Sequence, residues 1–198
     1  MKGFKRNNQL LSLCGLNCGL CPMHIDGYCP GCGGGAGNQS CRIARCSLEH
    51  DNLTYCYECS SYPCDKYMKF AKYDSFITHQ HYHQDLMKAK DGGIDTYNQE
   101  QLEKIDILKI FLEKYNDGRK KSFYCLAVNL LELEELKSLI KQIETNSKLS
   151  ALTKKEQAKY VFDLFQDLAK QHSLILKLNK KSKRLARVTN LRVFLLYN

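Results

Sequence analysis

Cys14-Gly15-Leu16-Asn17-Cys18-Gly19-Leu20-Cys21-Pro22 opens a run that holds ten of the chain's eleven cysteines between Cys14 and Cys64. It continues as Cys29-x2-Cys32, Cys41-x4-Cys46 and Cys56-x2-Cys59-x4-Cys64. Each Cys-x2-Cys pair bends the backbone into a small turn that aims two thiolates at one ion, and three such pairs within about fifty residues mark a metal site. Between them stand glycines and short polar turns, among them Gly31-Cys32-Gly33-Gly34-Gly35. No apolar periodicity here is long enough to build a core, so metal rather than burial is expected to hold the segment. The candidate ligands are Cys14, Cys18, Cys21, Cys29, Cys32, Cys41, Cys46, Cys56, Cys59 and Cys64.

Structural zinc takes four Cys or His ligands. Chain order pairs Cys18, Cys21, Cys29 and Cys32 in one site and Cys41, Cys46, Cys56 and Cys59 in a second, leaving Cys14 and Cys64 over. A second site of Cys46, Cys56, Cys59 and Cys64 is the alternative. With His24 and His50 added, the donors also close into three sites, so two or three zinc ions are expected. Four thiolates leave the ion's surroundings negative, and Arg42 and Arg45, beside Cys41 and Cys46, suit the balancing role. Iron is the rival metal, because thiolates serve both. Cys14-x3-Cys18-x2-Cys21 is the spacing on which radical-SAM enzymes hold a four-iron cluster, but those enzymes set it in a barrel of alternating strands and helices. The chain after Cys64 shows no such alternation.

The opening words, together with Cys29-Pro30-Gly31-Cys32, Cys41-Arg42-Ile43-Ala44-Arg45-Cys46 and Cys56-Tyr57-Glu58-Cys59-Ser60-Ser61-Tyr62-Pro63-Cys64, resemble in order the cysteine-rich bacterial and archaeal family catalogued as domain of unknown function 3795. The resemblance covers roughly the first 75 residues. It implies a small zinc-binding module and brings no activity with it. Tyr73-Asp74-Ser75-Phe76-Ile77-Thr78-His79 and Asn116-Asp117-Gly118-Arg119 look like words of an extension seen in longer members.

The composition changes at Asp65, which divides a Cys-rich metal-binding module (1–64) from a helical domain with a basic C-terminal tail (65–198). Helices are expected at 66–73, at 75–90 up to Asp91-Gly92-Gly93, and from a Thr96-x-x-Gln99 capping box to Asn116-Asp117-Gly118. The last of these would bury Leu102, Ile105, Leu108, Leu112 and Tyr115. A continuous helix is expected over 122–144, burying Phe123, Leu126, Leu130, Leu133, Leu136, Ile140 and Ile143. Thr153-x-x-Glu156 caps another, with Val161, Leu164, Phe165 and Leu168 inward. Leu191 to Tyr197 is apolar and reads equally as a docked strand or helix. The fold class is mainly α: a small zinc-finger-like module with little regular structure, then an irregular bundle of about four to five helices.

Of the 198 residues, 43% are apolar and the formal net charge is +9. Nearly all the excess lies in residues 172–198, which carry seven basic residues and no acid, densest at Lys180-Lys181-Ser182-Lys183-Arg184. Such a tail attracts nucleic acid or serves as a solvated end. Phe4-Lys5-Arg6-Asn7-Asn8-Gln9 is no secretory leader, and no stretch reaches the roughly 18 apolar residues of a membrane span. A cytoplasmic protein follows, in a compartment that keeps thiols reduced.

The remaining signals are bland. His79 and His83, four apart with His81 between them, would share a helix face, read as a metal or phosphate site or as a partly exposed polar face. Cys125 reads as a small buried apolar residue and Asn129 as a polar residue inside the core. Arg119, Lys120 and Lys121 beside Phe123 and Tyr124 suit either RNA contact or a charged helix start. No phosphate loop, serine-nucleophile turn or His-Glu-x-x-His motif is present. The expected function is therefore a zinc-stabilised binding or adaptor protein with a protein or nucleic-acid partner. The alternative is an iron–sulfur or open-site metal enzyme.

Overall fold

The computed structural model describes residues 3–35 and 41–181. Eight α-helices and no strand are found among the described residues: α1 Pro22–Ile25, α2 Arg42–Leu48, α3 Asp65–Phe70, α4 Tyr82–Gly92, α5 Ile94–Lys114, α6 Lys121–Leu130, α7 Leu133–Glu144 and α8 Lys154–Gln171. The fold is mainly α, as expected, and the cysteine segment has little regular structure beyond short helical turns.

Besides α3, which ends at Phe70 rather than at 73, three helix boundaries differ from the sequence expectation, each for a local reason. Residues 75–81 are not helical. There Asp74 Oδ1 accepts the His79 N–H at 2.7 Å and Thr78 Oγ1 accepts that of Gln80 at 3.1 Å, so side chains satisfy the amides that a helix would use. α5 begins at Ile94 behind Gly93 (φ 83°), which puts Thr96 inside the first turn rather than at the cap. The stretch 122–144 breaks at extended Leu131 (φ −88°, ψ 150°), and α7 restarts with Glu135 accepting the Glu132 N–H at 3.0 Å. The Thr153 cap is as expected: Glu156 accepts the Thr153 N–H at 2.9 Å.

The helices serve two cores. The first joins Ile107, Leu108 and Phe111 of α5 to Tyr124 and Val128 of α6, Leu136 and Ile143 of α7, and Val161 and Phe165 of α8; Leu20 enters from the cysteine segment. The second mixes Phe4, Leu11, Leu13, Ile43 and Tyr55 with Tyr67 of α3, Tyr82, Leu86 and Ala89 of α4, and Tyr97 of α5. Packing thus crosses the change of composition at residue 64. Gly15 shows how closely: at φ +93°, a Cβ there would lie 2.0 Å from the carbonyl oxygen of Tyr82.

α5 spans both cores, and four residues of its expected apolar stripe pack in the first: Leu108 is buried, and Ile105, Leu112 and Tyr115 are partly so. Tyr97, Gln101, Lys104, Leu108 and Phe111 face inward, while Leu102 is exposed. The polar members of that face belong to a cluster where the cores meet. Lys104 lies 3.8 Å from Glu100, Lys88 reaches Glu100 at 2.8 Å and Glu132 at 3.2 Å, and Asp85 is held by Asn17 at 3.1 Å. Burial pushes the Asp85 carboxyl up to about 7, against the pull of Tyr97, Lys104 and Lys88. Cys125 and Asn129 are buried in α6 as anticipated.

Beyond α8 the chain returns across the loop before α4. Asn179 donates its N–H to Asp74 Oδ2 at 2.7 Å and accepts the Asp74 N–H at 2.9 Å, and Gln80 donates to Ile175 O at 2.9 Å. The tail beyond residue 181, with Lys183, Arg184 and the Leu191–Tyr197 stretch, lies outside the described residues.

Candidate metal centre

Cys14, Cys18, Cys32 and Cys41 come from separate turns and influence one another electrostatically, Cys14 and Cys32 being common to the set. Burial pushes the Cys14 thiol up to about 12, with Cys32 and Cys41 near enough to add to the effect. Burial also raises Cys18, and Cys32 and Cys14 reinforce it. Backbone amides point at these sulfurs: Leu16 N–H at Cys14, Cys32 N–H at Cys18 and Leu13 N–H at Cys32. Such bonds favour the thiolate and are the usual surroundings of a metal-bound cysteine.

A cation stands beside this group. Arg6 is 8% exposed, with Nε donating to Thr54 O at 3.0 Å and Nη1 to Leu11 O at 3.0 Å and Asn8 O at 3.2 Å. Its guanidinium lies 4.8 Å above the Tyr55 ring and pulls the Cys32 thiol down against burial. Nη2 is buried without a hydrogen-bond acceptor. A fixed guanidinium with an unmatched N–H fits a thiol group that turns anionic when it takes a metal. Arg42 and Arg45, expected in this role, are exposed. No local signal marks Arg6, because its partners lie up to 48 residues away in sequence.

Cys46, Cys56, Cys59 and Cys64 line a cavity of about 40 Å³ walled by Leu13, Ile43, Leu53, Tyr62 and Tyr67. That is room for an ion or a water. α2 supplies Cys46, the helical turn Cys56–Glu58 supplies Cys56 with Cys59 at its end, and Cys64 is the residue before α3. Burial raises the Cys56 thiol, helped by Cys14, Cys64, Cys46 and Cys32, so the two groups adjoin. A divalent ion among such thiols supplies the charge that lets them ionise. Lys66 Nζ stands 3.4 Å from Cys46 Sγ and 3.7 Å from Glu49 Oε2.

The cysteines near Cys18 include Cys21 and Cys32 of the chain-order set, and Cys14 besides. The alternative set of Cys46, Cys56, Cys59 and Cys64 lines one cavity. Cys21 accepts N–H groups of Met23 and His24 and lies near Cys29 and the buried Cys125, while His24 Nδ1 is 2.8 Å from Cys29 O. His50 lines the cavity of the second group. The ligand atoms of Cys46, Glu49 and His50 all lie within 4.8 Å of one another, and among the described residues no other trio of Cys, His, Asp or Glu is so tight. The thiols of each foursome are brought together without being drawn that close.

The other candidates resolve plainly. His79 precedes α4, is buried and stacks on Phe70 at 4.3 Å, so it does not share a helix face with His83. Tyr124 is wholly buried with its hydroxyl on Tyr115 O, Lys120 lies over Phe162, and Lys121 pairs with Asp26. Those rings belong to the core and offer no stacking platform. No helix among the described residues is long and apolar enough to cross a membrane. No family model matches the chain, and no curated protein or solved structure matches it.

Proposed function

We propose that this chain is a zinc-stabilised binding protein whose cysteine segment holds structural metal. One ion is assigned to Cys14, Cys18, Cys32 and Cys41, and another to Cys46, Cys56, Cys59 and Cys64. The observation that carries this is that Cys46, Cys56, Cys59 and Cys64 line one cavity beside Lys66, next to Cys14, Cys18, Cys32 and Cys41, which act on one another electrostatically beside Arg6. Four thiolates saturate tetrahedral zinc and leave no position for a substrate, which supports a structural role over a catalytic one. The seven cations of residues 172–198 support an anionic partner, nucleic acid or an acidic protein surface.

The test is elemental analysis of the chain purified without oxygen. Two zinc ions per chain in a colourless protein is the expected result, and a third points to Cys21, Cys29 and His24. Less than one metal per chain, with the thiols freely alkylated in the folded protein, overturns the reading. A brown preparation that bleaches in air moves the assignment to an iron–sulfur cluster.

A further inference from the structure

We propose that Cys46, Glu49 and His50 form a second, solvent-facing site for a borderline divalent ion such as zinc, and that ions enter and leave the thiol cavity through it. This rests on the reading of Cys46, Cys56, Cys59 and Cys64 as a zinc-holding group. At spacings of three and four residues the three donors fall on one side of the end of α2, and their ligand atoms lie within 4.8 Å of one another. His50 Nδ1 stands 2.8 Å from the carbonyl oxygen of Cys46. The same Nδ1 lies 3.7 Å from Cys46 Sγ, so the ring is held against the thiol, and the tautomer decides which ring nitrogen offers its lone pair to an ion.

The spot already attracts positive charge: the Lys66 ammonium is seated against both Cys46 Sγ and Glu49 Oε2. The side chains of Lys66 and Glu49 are 53% and 65% exposed, so an ion arrives from water without the fold opening. Sulfur, nitrogen and oxygen together suit zinc, cobalt or nickel rather than magnesium or calcium. Three protein donors leave a fourth position to a water.

Cys46 and His50 also line the cavity with Cys56, Cys59 and Cys64. Transfer inward is therefore a ligand exchange about a sulfur that never lets go. The bonds from the ion to Glu49, His50 and water break, and bonds to the sulfurs of Cys56, Cys59 and Cys64 form. The three thiol protons pass to the freed imidazole, the freed carboxylate and solvent. Release runs the same path backwards, with Lys66 competing for the outer donors.

The experiment follows zinc leaving the loaded full-length chain for a chromophoric chelator, at chelator concentrations where the rate no longer depends on the chelator. In His50→Ala and Glu49→Gln, zinc content at saturation is expected to stay at the wild-type value while one equivalent leaves about tenfold more slowly. In Lys66→Ala that equivalent leaves faster. Wild-type release rates in both His50→Ala and Glu49→Gln overturn the inference and leave the module reading intact. So does the loss of one bound zinc in His50→Ala, which would make His50 a permanent ligand. A wild-type chain that binds no zinc overturns the module reading first, and this inference with it.

Discussion

Asn17 Nδ2 donates to Asn129 Oδ1 at 2.8 Å, joining the turn before Cys18 to α6 across 112 residues of chain. The same amide nitrogen reaches Asp85 Oδ2 at 3.1 Å, and Asn17 Oδ1 accepts from the Tyr97 hydroxyl at 2.8 Å. One short side chain thus ties α4, α5 and α6 to the cysteine segment.

Asn17→Ala should be costly out of proportion to its size. It leaves Tyr97, Asn129 and Asp85 without their shared partner at a site 2% exposed, a loss of about 2–4 kcal/mol. Urea unfolding of the metal-loaded chain measures this directly. A midpoint equal to wild type would show that the cluster adds nothing to stability.

Asp85 gives the fold a dependence on pH. Its carboxyl sits at about 7 in the folded chain, raised chiefly by burial, against about 4 when unfolded. Between those values the folded chain keeps a proton that the unfolded chain has released, so stability falls as pH rises through that window and levels off above it. Asp85→Asn keeps an acceptor for Asn17 and removes the titration. The variant should gain on wild type steadily from about pH 5.5 to about 7 and hold its gain above, a range chosen to avoid acid release of metal. Parallel profiles would mean that Asp85 ionises like a surface carboxylate.

Arg6 should matter to one metal ion and not to the other. Arg6→Met removes the charge beside Cys32 together with the bonds to Thr54, Leu11 and Asn8. After dialysis against a moderate chelator it is expected to retain about one zinc fewer than wild type, with a stability loss of at least about 2 kcal/mol. Arg6→Lys keeps the charge but not the planar fork, and should recover the metal without recovering the stability. Equal metal loss in both variants would point to packing rather than charge.

The tail offers a simple test of partner class. Replacing Lys180, Lys181, Lys183 and Arg184 with Ala should abolish most binding to RNA or DNA at low salt, and wild-type binding should weaken steeply as salt rises. A wild-type chain that binds neither nucleic acid at low salt leaves an acidic protein surface as the partner.

What the sequence made legible was whatever is written locally. The Thr153–Glu156 box lies within one helical turn, and the helix starts where it was read. The Cys-x2-Cys turns announce themselves by spacing. Their grouping does not, since Cys18 meets Cys14 and Cys32 only once three turns have folded together. Arg6 and Lys66 were missed for the same reason: each meets its cysteine across 20 or more residues. The stripe of α5 was legible except for Leu102, which is exposed, but Gln101 and Lys104 are buried in a polar cluster that an apolar stripe cannot reveal. The break at Leu131 was hidden because Glu132, an unusual residue for a helix start, closes the turn with Glu135.

The second core has a consequence for the order in which the chain can mature. Phe4, Leu11 and Leu13 find their partners in Tyr82, Leu86 and Tyr97, all of which follow the last cysteine of the segment. During translation at about 5–20 residues per second, the thiols wait seconds between leaving the ribosome and gaining the helices that bury them. Over that interval the ten cysteines are accessible to oxidants and to the wrong metal. Native packing of the cysteine segment therefore waits for the docking of α4 and the start of α5, so residues made after the last cysteine of the segment complete the core of those made before it.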